Sequence, residues 1–136
     1  MNNQYLMALL MVLFTYIILS NVMLTGYNGI YNHLNKIYMA LLMGITMILI
    51  DGIIMKNIPM ILISLLIGIV LIILIRRQIL IDDNEFLKSM IEHHDMALLM
   101  ATEIKKKTKN NNIRQLADLI LKTQQNEINI MKSWLN

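Results

Sequence analysis

Apolar and polar positions divide the chain near residue 77. Before it lie three apolar runs, Tyr5 to Leu24, Ile37 to Ile54 and Pro59 to Ile75, separated by short polar stretches. Each is close to the roughly 20 residues that a helix needs to cross the hydrocarbon layer. The pattern predicts a membrane domain over residues 1–77 with three transmembrane helices, at about 5–24, 37–54 and 59–75. A cleaved signal peptide fits the first run poorly: no positive residue precedes Tyr5, the apolar core is too long, and no small-residue cleavage site follows. The link Thr25 to Lys36 holds Gly26, Asn28, Gly29, Asn32, His33 and Asn35, a loop composition. His33 is read there as a solvated loop residue. Asp51 falls near the end of the second run, at headgroup depth. Pro59 suits the first turn of the third helix, where its missing N–H costs nothing. Gly44, Ser64 and Gly68 are candidates for close helix contacts.

After residue 77 the period changes. Asp82, Asp83 and Asn84 precede a stretch with apolar residues three and four apart, and acids at that point favour a helix start. A second domain is predicted over 82–136, with helices at about 84–107 and 113–134. Lys105 to Lys109 fall at the negative end of the first helix, and Asn112 is the expected N-cap of the second. Two long helices joined by so short a loop should fold back as an antiparallel hairpin.

Two apolar seams follow from the spacing, each broken by polar residues: His93 and His94 on the first helix, Gln124 and Glu127 on the second. Pairing about a turn near residue 109 or 110 puts His94 opposite Gln124 or Gln125. Met90 comes to the level of Glu127 and Ile128, and Leu87 to Met131. The breaks coincide in height, so His93, His94, Met90, Gln124, Glu127 and Met131 should form one buried or half-buried cluster. Polar groups there need partners. Residue types alone leave two readings open. In one, His94 and Glu127 bond each other and fix helix register. In the other, imidazole, thioether and carboxylate hold a metal ion: imidazole suits copper, zinc, iron and nickel, and thioether sulfur selects soft Cu(I).

Composition removes several classes. Apolar residues make up 57 % of the 136 and the mean hydropathy is +0.57, high for a water-soluble domain. There are no cysteines, which excludes disulfides, thiolate metal sites and cysteine nucleophiles. The net charge is +3, but its positive residues are scattered and no aromatics interleave with Lys105 to Lys109. Nucleic acid is therefore not an expected partner. No Glu-x-x-His occurs, which argues against a di-iron carboxylate site. No catalytic constellation is visible, so no enzyme is expected. Two helices alone bury little apolar surface, so the hairpin is expected to dimerise into a four-helix bundle.

The run Met90-Ile91-Glu92-His93-His94-Asp95-Met96-Ala97-Leu98-Leu99-Met100-Ala101 resembles the opening helix of domain-of-unknown-function family 305. So, for its second helix, do Ile113-Arg114-Gln115-Leu116-Ala117-Asp118-Leu119-Ile120 and the pattern Gln124, Glu127, Ile128, Met131, Trp134, Leu135. Tyr38 to Gly44 looks like membrane-anchored members. The resemblance implies a ferritin-like helical domain, and some members are copper-binding proteins outside the cytoplasm. Carried over, the metal positions are Met90, His93, His94, Met100, Gln124, Glu127 and Met131. Glu92 departs from the pattern, where relatives often have Pro. On orientation two signals oppose each other. Lys36, Arg76 and Arg77 favour an inside C-terminus, whereas the resemblance places the hairpin outside, which is the orientation expected here.

Overall fold

A computed structural model describes residues 2–135. Its order is α1 (Asn2–Phe14), a π-helical turn (Thr15–Leu19), a 3-10 turn (Tyr27–Gly29), α2 (Leu34–Ile54), α3 (Ile58–Arg76), α4 (Asp83–Lys107) and α5 (Asn111–Trp134). The fold is all-helical, with no strand among the described residues. It divides into two compact units.

The first unit holds the residues up to Asn21 together with Leu34–Ile81. α2 and α3, of 21 and 19 residues, are long and apolar enough to cross a membrane. The first apolar run is not. It was expected to reach Leu24, but its helix ends at Leu19. The polar pair Ser20 and Asn21 stops it: Ser20 Oγ donates to the Tyr16 carbonyl at 2.6 Å and Asn21 Nδ2 to the Ile17 carbonyl at 2.9 Å. Such short polar side chains compete with the helix for its own backbone groups. Asn21 also accepts from the buried Lys36 at 2.7 Å. The expectation of three spans is thus reduced to two helices of spanning length.

α1 and α2 approach closely at Gly44, where a Cβ would lie 2.4 Å from Val12 Cγ2 and 3.2 Å from the Ala8 carbonyl oxygen. Ser64 is buried, its hydroxyl returned to the Met60 carbonyl at 2.7 Å. Gly68 differs from the expectation, since a Cβ there would make only an ordinary contact, 3.9 Å from Ile45. Asn57 caps α3, accepting from the Met60 amide, with Pro59 in the first turn as its fixed φ favours.

The second unit joins Val22–His33 to the chain from Asp82 onward. The link between the first two apolar runs, read as a free loop, is instead a strap packed on the hairpin. Asp82 caps α4 by accepting from the Glu85 amide at 2.8 Å, with Asp83 and Glu85 in the first turn and three lysines in the last. That charge order complements the helix dipole. The cap of α5 is Asn110 rather than the expected Asn112, whose amide donates to Asn110 Oδ1 at 2.9 Å. Leu87, Ile91 and Leu98 of α4 pack with Ile128 and Met131 of α5, and Tyr31 of the strap covers the cluster.

Candidate functional site

The site follows from how α4 distributes its side chains. At 3.6 residues per turn, Leu87, Ile91, His94, Leu98 and Ala101 share one face, and all five are buried. Glu92 and Asp95 lie beside this face and are also buried. His93 points to a third face and is exposed. Its ring sits edge-on to that of His94, with centroids 6.3 Å apart. The adjacent histidines therefore occupy different environments.

His94 is held at both nitrogens. Nδ1 lies 2.7 Å from the Met90 carbonyl oxygen and Nε2 lies 2.7 Å from Glu127 Oε2. The carbonyl can only accept, so Nδ1 carries the proton towards it. The Glu127 side chain is half exposed, against 10 % for His94. The pairing register placed His94 opposite Gln124 or Gln125, yet it meets Glu127. Helical side chains tilt towards their own N-terminus. In an antiparallel pair His94 leans away from the turn and Glu127 leans towards it, so the two converge across the offset.

Of the other candidates, Met131 is buried in the apolar cluster and Met90 packs against it, each one helical turn from Glu127 and His94 respectively. Gln124 is half-buried. Met100 is 58 % exposed and lies with His93 outside the cluster. The expected cluster of six, with Met100 added by the resemblance, is thus resolved into a His94–Glu127 pair, two core methionines behind it, a half-buried Gln124, and two residues turned outward, His93 and Met100. Among the described residues, no group of three or more His, Cys, Asp or Glu side chains comes together as a metal cage.

A second polar centre was not foreseen. Glu92 Oε2 lies 3.0 Å from His33 Nε2, with side chains 7 % and 8 % exposed, and Glu92 Oε1 accepts from the Tyr31 amide at 2.6 Å. His33, expected to be solvated, is buried because the strap folds over α4 and presses its ring onto this carboxylate. Asp95 holds the other end of the strap. Its two oxygens accept from the Thr25 amide and the Thr25 hydroxyl, each at 2.6 Å. Gly29 crosses directly above it, since a Cβ there would stand 3.2 Å from Asp95 Oδ2. Two acids three residues apart thereby anchor the strap through Thr25 and His33, and a half-open cleft of about 360 Å³ remains between strap and hairpin, with Gln125 and Lys132 at its rim. One signal in the sequence bore on this, namely acids at 92 and 95 flanking an apolar seam. Their partners lie some 60 to 70 positions upstream, beyond the reach of any helical periodicity.

The family model described as domain of unknown function, DUF305, matches residues 82–136. An uncharacterized protein of Acanthamoeba polyphaga mimivirus is 38 % identical over 143 residues, covering 100 % of this chain and 94 % of that protein. No solved structure matches. The chain belongs to one family with that mimivirus protein, and its residues 82–136 are a DUF305 domain.

Proposed function

We propose that this is a membrane-anchored, non-enzymatic protein that takes up a metal ion at the His94–Glu127 pair, copper first and zinc second. The observation that carries the reading is the anchoring of His94. A ring whose Nδ1–H is tied to a backbone carbonyl, the usual outer support of a metal-binding histidine, has its orientation set and can turn the Nε2 lone pair towards an ion. Here that Nε2 faces a half-exposed carboxylate. Imidazole and carboxylate suit Zn(II) or Cu(II), and the thioethers of Met90 and Met131 lie one turn away for a softer Cu(I). His94 and Glu127 would hold the ion, and Met90 and Met131 would supply softness after a local shift. One chain thus offers fewer donors at one point than a closed four-coordinate site requires. This supports a labile, transferable ion rather than a structural one.

Anchoring in a lipid bilayer is supported by α2 and α3, whose outer surfaces carry Ile53, Leu62, Ile63 and Leu66 at 57 to 64 % exposure. Apolar surface on that scale calls for a nonaqueous neighbour. The hairpin, short of apolar cover on its own, works as a homo-oligomer, and its polar domain lies outside the cytoplasm.

A second reading is favoured by one specific fact: Nε2 of His94 is already satisfied by Glu127, so the pair alone can set helix register. Titration of the full-length chain in detergent with Cu(I) and Zn(II) separates the two. The metal reading expects His94→Ala and Glu127→Gln to weaken binding at least tenfold with helicity retained. Absent binding, or binding indifferent to both changes, leaves the register reading.

A further inference from the structure

Each helix of the hairpin carries two apolar seams, and one chain uses only one of each. On α5 the buried seam runs Ala117, Leu121, Ile128, Met131 and Leu135, packed or half-packed against α4. Displaced from it by about 100° lies a second seam with the same three-four spacing, Ile113, Leu116, Ile130 and Trp134, at 39 to 64 % exposure. α4 repeats the arrangement. Phe86, Met100 and Ile104 are 43 to 58 % exposed at helical spacing beside the buried Leu87–Ala101 face. In the middle of the open α4 seam stands His93, and in the middle of the open α5 seam stands Glu127, both exposed and at one level because Glu127 already bonds His94.

We propose that a second copy of this chain covers this face, with its twofold axis parallel to the helices, so that His93 of one copy meets Glu127 of the other. The inference deepens the oligomeric reading above, on which it rests, and is independent of the metal. Its size fits the occupant. From Phe86 to Ile104 the face is about 27 Å long, and two helices 8–10 Å apart make it roughly 18–20 Å wide. With side-chain relief this approaches the ~800 Å² per partner of a specific interface. Phe86, Met100 and Trp134 on this face are of the types such interfaces favour.

Charge selects the orientation. An axis lying across the helices would stack α4 on α4 and α5 on α5, and bring two Glu127 carboxylates together inside an apolar face. An axis along the helices stacks α4 on α5 at equal height, giving each carboxylate an imidazole from each copy. Glu127 Oε2 serves His94 of its own chain, and Oε1 serves His93 of the partner. The second copy thus completes the polar centre, raising its donors from one His–Glu pair to two such pairs plus both His93 rings.

The chain lacks cysteine, so introduced ones report cleanly. Full-length wild-type protein in detergent should sediment as a dimer after subtraction of bound detergent. Differently tagged His93→Cys and Glu127→Cys chains, mixed and treated with a short bismaleimide, should give a product carrying both tags and little same-tag product. Leu116→Glu with Ile130→Glu should yield a monomer of unchanged helicity. A wild-type monomer would overturn the oligomeric reading and this proposal together, leaving the face to lipid or another protein. A wild-type dimer that survives the double substitution, or that cross-links 93 to 93, overturns the proposed face or axis alone.

Discussion

Glu92 and His33 stand 59 positions apart in the chain and 3.0 Å apart in the fold, both buried. Their contact ties the strap between the first two apolar helices to the polar hairpin. A domain that looks self-contained at residues 82–136 is therefore completed by a dozen residues from far upstream.

His33→Ala should destabilise this unit strongly. It takes the imidazole partner from a buried carboxylate, and breaking one side of a buried pair costs about 3–5 kcal/mol. Glu92→Gln should cost less, about 1–2 kcal/mol, since an amide still accepts from Tyr31 and faces the ring. Denaturant unfolding followed on the single tryptophan, Trp134, measures both. Equal, small effects would mean that the pair carries no stability.

At the other end of the strap, Thr25→Val removes the hydroxyl donor to Asp95 while keeping shape. Hydrogen bonds to a charged group are worth about 1.5–3 kcal/mol, so the loss should fall near the lower figure with the backbone donor retained. Amide exchange over residues 22–33 should accelerate before that of α4 and α5. Unchanged exchange in the strap counts against the anchor.

Metal uptake should discriminate between His94 and Met100. His94→Ala should abolish the tightest Cu(I) or Zn(II) site, and Met100→Leu should leave it within a factor of about two, because Met100 is exposed away from the pair. Competition titration against a chromogenic chelator reads both. Equal losses in the two variants would argue against a site centred on His94.

In the other unit, Gly44→Leu should disrupt the packing of α1 on α2. Even a Cβ would stand 2.4 Å from Val12 Cγ2, and overpacking of this kind costs typically about 1–3 kcal/mol. Cysteine cross-linking between α1 and α2 in native membranes should fall in the variant. Val12→Ala in the same chain should restore part of it by making room.

Orientation is a direct cell-level test. With the hairpin outside, protease added to intact cells should remove an epitope placed after Leu135 while sparing one between α2 and α3. The reverse pattern would place the domain inside, as Lys36, Arg76 and Arg77 suggest.

Local chemistry determined much of this protein. The helical class, α2 and α3, the cap at the start of α4, the lysines at its end and the fold-back of the hairpin all follow from short-range rules of period, capping and charge. The meeting of His94 with Glu127 was legible only to within a turn, because pairing about a loop places backbones in register but not the tilt of side chains. Three outcomes depended on tertiary contacts as well as on local rules. The first apolar run stops at Leu19 because Ser20 and Asn21 return to its carbonyls and Asn21 also binds Lys36. His33 is buried because a carboxylate 59 residues away offers it a partner. His93 and His94, identical and adjacent in sequence, part company because 100° of helix rotation sends one into the core and the other to the surface. Burial depends on what arrives from elsewhere in the chain, and a periodic pattern carries no record of that arrival.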